Sequence, residues 1–207
     1  MDAISIKCVS ETEIPLTEVF QLVHDSFQQW IDNGLESAVA RYSLDDYIEK
    51  TSNATIIVAV SSKGELLGTH TLVFDKPKCC FGKYLAVSPN AKRLGIGKLL
   101  FEKEVELAKQ HGCEYLLEDT GVDATWSVKW HTKMGYKIVG YKSFSSNNYF
   151  SYIFRKQLVP SKKYDCEWYC KVLFMIQYIV TKLMRTRNGH PTIIGKICLF
   201  LYKGRVE

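Results

Sequence analysis

The sequence predicts a mixed α/β fold, a central sheet with helices on both faces. Three observations carry that prediction. Strand-like and helix-like periodicities alternate along the chain from residue 3 to about residue 157. Two apolar runs, Thr55–Val60 and Leu66–Phe74, flank the turn Ser61-Ser62-Lys63-Gly64 and read as a hairpin. A third strand, Phe81–Val87, enters a short glycine-bearing basic turn that opens an amphipathic helix.

Each element has its own local signal. Ala3–Val9 alternates like a half-buried strand, and Pro15–Trp30 carries Leu16, Val19, Phe20, Val23, Phe27 and Trp30 at helical spacing. A second helix is expected at Leu44–Thr51, with Asp45 and Asp46 in its first turn. After the hairpin and Phe81–Val87, a helix is expected over Lys98–His111, closed by Gly112. Strand 115–120, helix 125–134 and strands 136–142 and 149–157 complete the order.

The turn is Lys92-Arg93-Leu94-Gly95-Ile96-Gly97-Lys98. Helix-start N–H groups lack intrahelical acceptors, the helix dipole favours negative charge there, and glycine lets a phosphate approach the backbone. Three basic side chains add to the same attraction. A Walker loop is excluded, because a single residue separates the glycines. The dinucleotide fingerprint also fails, since Leu100 stands where its third glycine belongs. The turn therefore points to a phosphate or pyrophosphate without saying which.

Downstream lie the strand Tyr115–Thr120 and the segment Trp130-His131-Thr132-Lys133-Met134-Gly135-Tyr136. Together with Leu85-Ala86-Val87-Ser88-Pro89 and Lys92-x-x-Gly95-x-Gly97, these resemble the GNAT superfamily of acyl-CoA-dependent N-acyltransferases. The resemblance covers motifs over about 81–142 and stops past about residue 160. It implies a mixed, mostly antiparallel sheet whose strands ending at Val87 and Thr120 splay around an acyl-pantetheine arm. It also implies acetyl-CoA as co-substrate, with no metal. The implied CoA positions are Leu85, Ala86, Val87, Lys92, Arg93, Leu94, Gly95, Ile96, Gly97, Lys98 and Ala124, with the Val87 N–H on the thioester carbonyl.

Aminolysis of a thioester needs a base for the amine, a donor for the oxyanion and an acid for the thiolate. Glu118 resembles a Glu that some members use as base. Asp119 is its rival, because adjacent strand residues face opposite sides. His131 falls where many members place the Tyr that protonates the thiolate, and an imidazole titrates near neutrality. Lys92 replaces the usual Arg or Gln, keeping a point charge but losing the guanidinium fork. Ala124 falls where an Asn is common.

The implied activity is acetyl transfer to a primary amine in a ternary complex, with a small-molecule or peptide acceptor. The alternative is an acyl-CoA-binding regulatory or membrane-surface module without turnover. The 207 residues, 46% hydrophobic and 24% charged, suit one globular domain plus an extension. No N-terminal apolar stretch precedes a small-residue cleavage site, and seven scattered cysteines make a disulfide framework a poor reading. A cytoplasmic location is the expectation. Cys166 and Cys170 share a helix face, but no matching pair sits nearby and a zinc site is not expected.

The domain is expected to span 1–159. The extension 160–207 carries nine Lys and Arg against three acids, hence all the net positive charge of the chain. Its apolar runs, Val172–Ile176 and Ile197–Tyr202 among them, fall short of the ~20 residues a membrane span needs. A helix docked on the domain or forming a homodimer face is the favoured reading. A membrane surface is the lesser one, and nucleic acid is disfavoured because the basic residues interleave with aliphatic runs.

Overall fold

A computed structural model describes residues 3–160 apart from 145 and 148. Everything expected of the extension from residue 161 onward, Cys166 and Cys170 included, lies outside the described residues.

The elements follow the expected order. They are β1 (Ile4–Cys8), α1 (Leu16–Asp32), α2 (Leu44–Thr51), β2 (Thr55–Ser61), β3 (Leu66–Lys76) and β4 (Cys79–Val87). Then come α3 (Ile96–Gln110), β5 (Tyr115–Gly121), α4 (Thr125–Lys133), β6 (Lys137–Ser143) and β7 (Phe150–Gln157). The seven strands hydrogen-bond in the order β1-β2-β3-β4-β5-β7-β6. The fold is thus mixed α/β with a mostly antiparallel sheet. The chain divides into two compact units, residues 3–118 with 155–159, and residues 119–154 with 160; β5 and β7 each cross from one to the other.

In the first unit, β1 to β4 form an antiparallel series and β5 joins β4 in parallel. Ile56, Val58 and Val60 of β2 pack with Val19 and Val23 of α1, Tyr47 of α2 and Ala86 of β4. Ile57 and Ala59 point the other way by the two-residue period of a strand and are equally sealed from solvent. The apolar run Thr55–Val60 is unbroken because both its faces are covered. Ser43 caps α2 reciprocally with Asp46: the Asp46 N–H donates to Ser43 Oγ at 3.1 Å, and the Ser43 N–H donates to the Asp46 carboxylate at 2.9 Å. The Ser43 hydroxyl, which donates to the same carboxylate at 2.7 Å, and after it the Ser43 N–H hold the Asp46 carboxyl below its ordinary pKa.

α3 approaches the sheet over Gly68. A methyl group placed there would lie 2.7 Å from Ile96 Cγ2 and 3.0 Å from the Ala86 carbonyl oxygen. Gly68→Val is therefore expected to lower stability by about 1–3 kcal/mol despite the better strand propensity of valine. The check is a fall in the urea midpoint at unchanged slope.

The element ends fall within two residues of the expected ones, and two of the shifts have a local cause. β4 begins at Cys79 rather than Phe81, because Lys78 adopts φ +62° and turns the chain so that Cys79 pairs back on Lys76. α3 begins at Ile96 rather than Lys98, because Gly95 at φ +81° ends the turn and its carbonyl already accepts the Lys98 and Leu99 N–H groups.

Candidate active site

The glycine-bearing turn keeps the form its residues suggest. After β4, Pro89–Ala91 makes one 3-10 turn, Arg93 and Gly95 take φ +69° and +81°, and α3 starts at Ile96. The Lys92 and Leu94 N–H groups donate to the Pro89 and Ala91 carbonyls, and the start of α3 directly after Gly95 is the end of the helix dipole that favours an anion. A Cβ at Gly95 would meet nothing within 4 Å, so the left-handed backbone, not crowding, is what calls for glycine there. Lys92, Arg93, Leu94 and Lys98 are exposed, Gly97 is half-buried and Ile96 is buried. Lys92 Nζ lies 3.5 Å from Gln29 Oε1 of α1, and Lys98 pairs loosely with Glu102 along α3. Both ammonium groups are solvated and can reorient toward an anion at small cost.

Leu85, Ala86 and Val87 form the end of β4. The Ser88 N–H donates to the Leu67 carbonyl at 2.9 Å, which makes Gly68 and Val87 a pair that does not exchange bonds. The Val87 N–H therefore points away from β3, toward the edge of β4 on which β5 pairs. That pairing covers only Cys79–Phe81 against Tyr115–Leu117, and β4 continues beyond it to Val87. A bulge precedes this end: Thr69 pairs with Ala86 but Thr71 with Lys83, so His70 faces both Tyr84 and Leu85. Tyr84 takes φ +55°, a strained value for an aromatic residue, and its ring lies against Tyr47 and Tyr42.

Glu118 ends the first unit's share of β5, and only 4% of it is exposed. It faces inward, where a methyl group on Gly82 of β4 would lie 3.0 Å from its Cγ. His70 of β3 and Glu104 of α3, both wholly buried, share that space. Burial above all, and then the charge of Glu104, push the Cys80 thiol on the same strand well above its ordinary pKa. Asp119, the rival base, is half-buried.

His131 belongs to the second unit and is 4% exposed. Its Nδ1 lies 2.7 Å from the Ser127 carbonyl oxygen one helical turn back. A carbonyl only accepts, so Nδ1 carries a proton and Nε2 is the nitrogen whose protonation can change. The ring stacks on Phe154 at 4.5 Å between centroids and meets Tyr136 and Trp130 edge-on. Thr120 Oγ1 donates to Ser127 Oγ at 2.9 Å, fixing that turn of α4 on the end of β5. Ala124 is the buried residue preceding α4, and its N–H donates to the Gly121 carbonyl.

The structure thus gathers Leu85, Ala86, Val87 and Lys92 to Lys98 at one end of β4, sets Glu118 in a buried polar cluster and packs His131 among aromatic rings. Sequence reasoning missed His70 and Glu104. Glu104 carried a signal: it falls in the apolar stripe Ile96, Leu100, Ala108 of α3, where a carboxylate is out of place.

Comparison with known proteins bears on this geometry. The sequence model of the acetyltransferase (GNAT) family matches residues 16–136. The chain belongs to that family. A comparison with curated proteins finds no match. Among solved structures, the Ard1 protein of Thermoplasma volcanium is 14% identical, with a TM-score of 0.61 over 76% of this chain and 99% of its own. A Bacillus subtilis acetyltransferase solved in complex with CoA is 16% identical, with a TM-score of 0.58 over 76% and 100%. A GNAT family acetyltransferase from Elizabethkingia anophelis, solved with acetyl-CoA bound, is 17% identical, with a TM-score of 0.56 over 76% and 99%. At these identities the likeness shows the fold. Among the described residues, no helix is long and apolar enough to cross a membrane.

Proposed function

We propose that the chain transfers the acetyl group of acetyl-CoA directly to a primary amine of a small molecule or peptide. The observation that carries this reading is the turn from Lys92 to Lys98, its left-handed Arg93 and Gly95 leading into α3 and its three cations exposed, within a chain of the GNAT family. The turn and the first N–H groups of α3 would hold the CoA pyrophosphate. The cofactor supplies the activated acyl group; the residues bind it, orient it and move protons.

In this reading the acceptor ammonium gives a proton to Glu118, and the amine nitrogen attacks the thioester carbon. The Val87 N–H, directed away from β3, steadies the oxygen as it gains charge. The C–S bond then breaks as the nitrogen gives up its second proton to solvent, leaving the neutral amide, and His131 Nε2 protonates the leaving thiolate and is reprotonated from solvent. No covalent enzyme intermediate is required, because holding amine and thioester together supplies much of the rate. A cytoplasmic location and a homodimer through the extension belong to the same proposal and rest on sequence alone.

The test is release of free thiol from acetyl-CoA in the presence of polyamines, aminoglycosides, amino sugars and peptides with free N-termini. An amine-dependent rate above the hydrolysis background is expected with at least one class. Tight acetyl-CoA binding with no turnover across all of them would favour the regulatory module instead.

A further inference from the structure

We infer that His70, Glu104 and Glu118 form a binding site for a divalent first-row transition cation. Each offers one ligand atom, these atoms lie within 4.8 Å of one another, and all three residues are buried. They come from three rigid elements, β3, α3 and β5, and converge over Gly82 of β4. A methyl group on Gly82 would lie 2.7 Å from His70 Nε2 and 3.0 Å from Glu104 Oε1, so the glycine keeps open the space between the polar groups. His70 Nδ1 stands 4.0 Å from Glu104 Oε2, so an imidazole nitrogen and a carboxylate oxygen face the same space.

One nitrogen and two carboxylate donors suit Zn2+, Co2+, Fe2+ or Mn2+ (Mg2+ and Ca2+ call for oxygen-rich shells).

The inference needs only the three ligands and is independent of acetyl transfer. It has one consequence for that reading: a carboxylate bonded to a cation cannot also accept the amine's proton. A filled site and catalysis through Glu118 therefore exclude each other, and the ion would act as an inhibitor.

The experiment uses the full chain, stripped with a chelator and titrated with Co2+. About one Co2+ per chain is expected, with weak visible ligand-field bands and no sulfur-to-metal charge-transfer band. Glu104→Gln and His70→Asn, which nearly preserve shape, should each weaken binding by more than about 100-fold with circular dichroism unchanged. No uptake by the parent, a thiolate charge-transfer band, or unchanged affinity in folded variants would overturn the site. If neither variant folds, the parent's stoichiometry and spectrum decide. Amine-dependent thiol release should fall as Co2+ fills the site. A chain that binds Co2+ but shows no turnover in its chelator-stripped, metal-free form would refute the catalytic reading and leave the metal site standing.

Discussion

Acetyl-CoA will bind the parent chain, and Gly97→Glu will lose that binding by about a thousandfold. The substitution places a carboxylate in the first turn of α3, beside the N–H groups assigned to the pyrophosphate. Two like charges at ~4 Å in a partly solvated site repel by about 4 kcal/mol, which corresponds to about three powers of ten in affinity. The fold should tolerate the change, since Gly97 is half-buried and a glutamate in the first turn of a helix suits the dipole. Calorimetric titration reads the loss directly, and an unchanged melting temperature shows that the helix start survives. Equal affinities for parent and variant would remove the turn from the cofactor site. Absence of binding by the parent would reduce it to a connection between β4 and α3.

His131→Ala will lower the rate of thiol release by about 10²–10⁴-fold while leaving acetyl-CoA affinity nearly unchanged. The ring is packed against Phe154 and Tyr136, so the truncation also leaves a cavity and will reduce stability. His131→Tyr separates the two effects. A phenol refills the aromatic packing and supplies a proton donor of the kind that the family resemblance places at this position. Recovery of turnover in His131→Tyr, with His131→Phe stable but slow, would assign the loss to proton transfer. A full rate in His131→Phe would reduce His131 to a packing residue.

These two residues also mark how far local sequence reached. The turn Lys92–Lys98 was legible because its chemistry is contained in seven consecutive positions: a glycine where the backbone turns left-handed, a helix directly after it and cations on both sides. His131 was legible as a candidate through its place in a motif. What packs around it was not, because Phe154 comes from a strand more than twenty residues on. Glu118 became a candidate through the family resemblance and its place on β5, but its neighbours belong to β3 and α3 and share no spacing with it. Glu104 stood in an apolar stripe and could have been read as an anomaly. His70 offered nothing, since a histidine in an alternating strand is ordinary until its partners are known.

By itself the sequence determined the order of elements, the mixed α/β class and the form of the β4–α3 turn. All of these depend on periodicity, caps and glycine positions that act within about ten residues. The tertiary structure alone decided the bulge that strains Tyr84, the direction of the Val87 N–H and the meeting of His70, Glu104 and Glu118. Those features arise from strand register and from the approach of α3 to the sheet over Gly68. Register is a choice between whole pairings, settled by the burial of every side chain on both faces at once, so no short stretch of sequence encodes it.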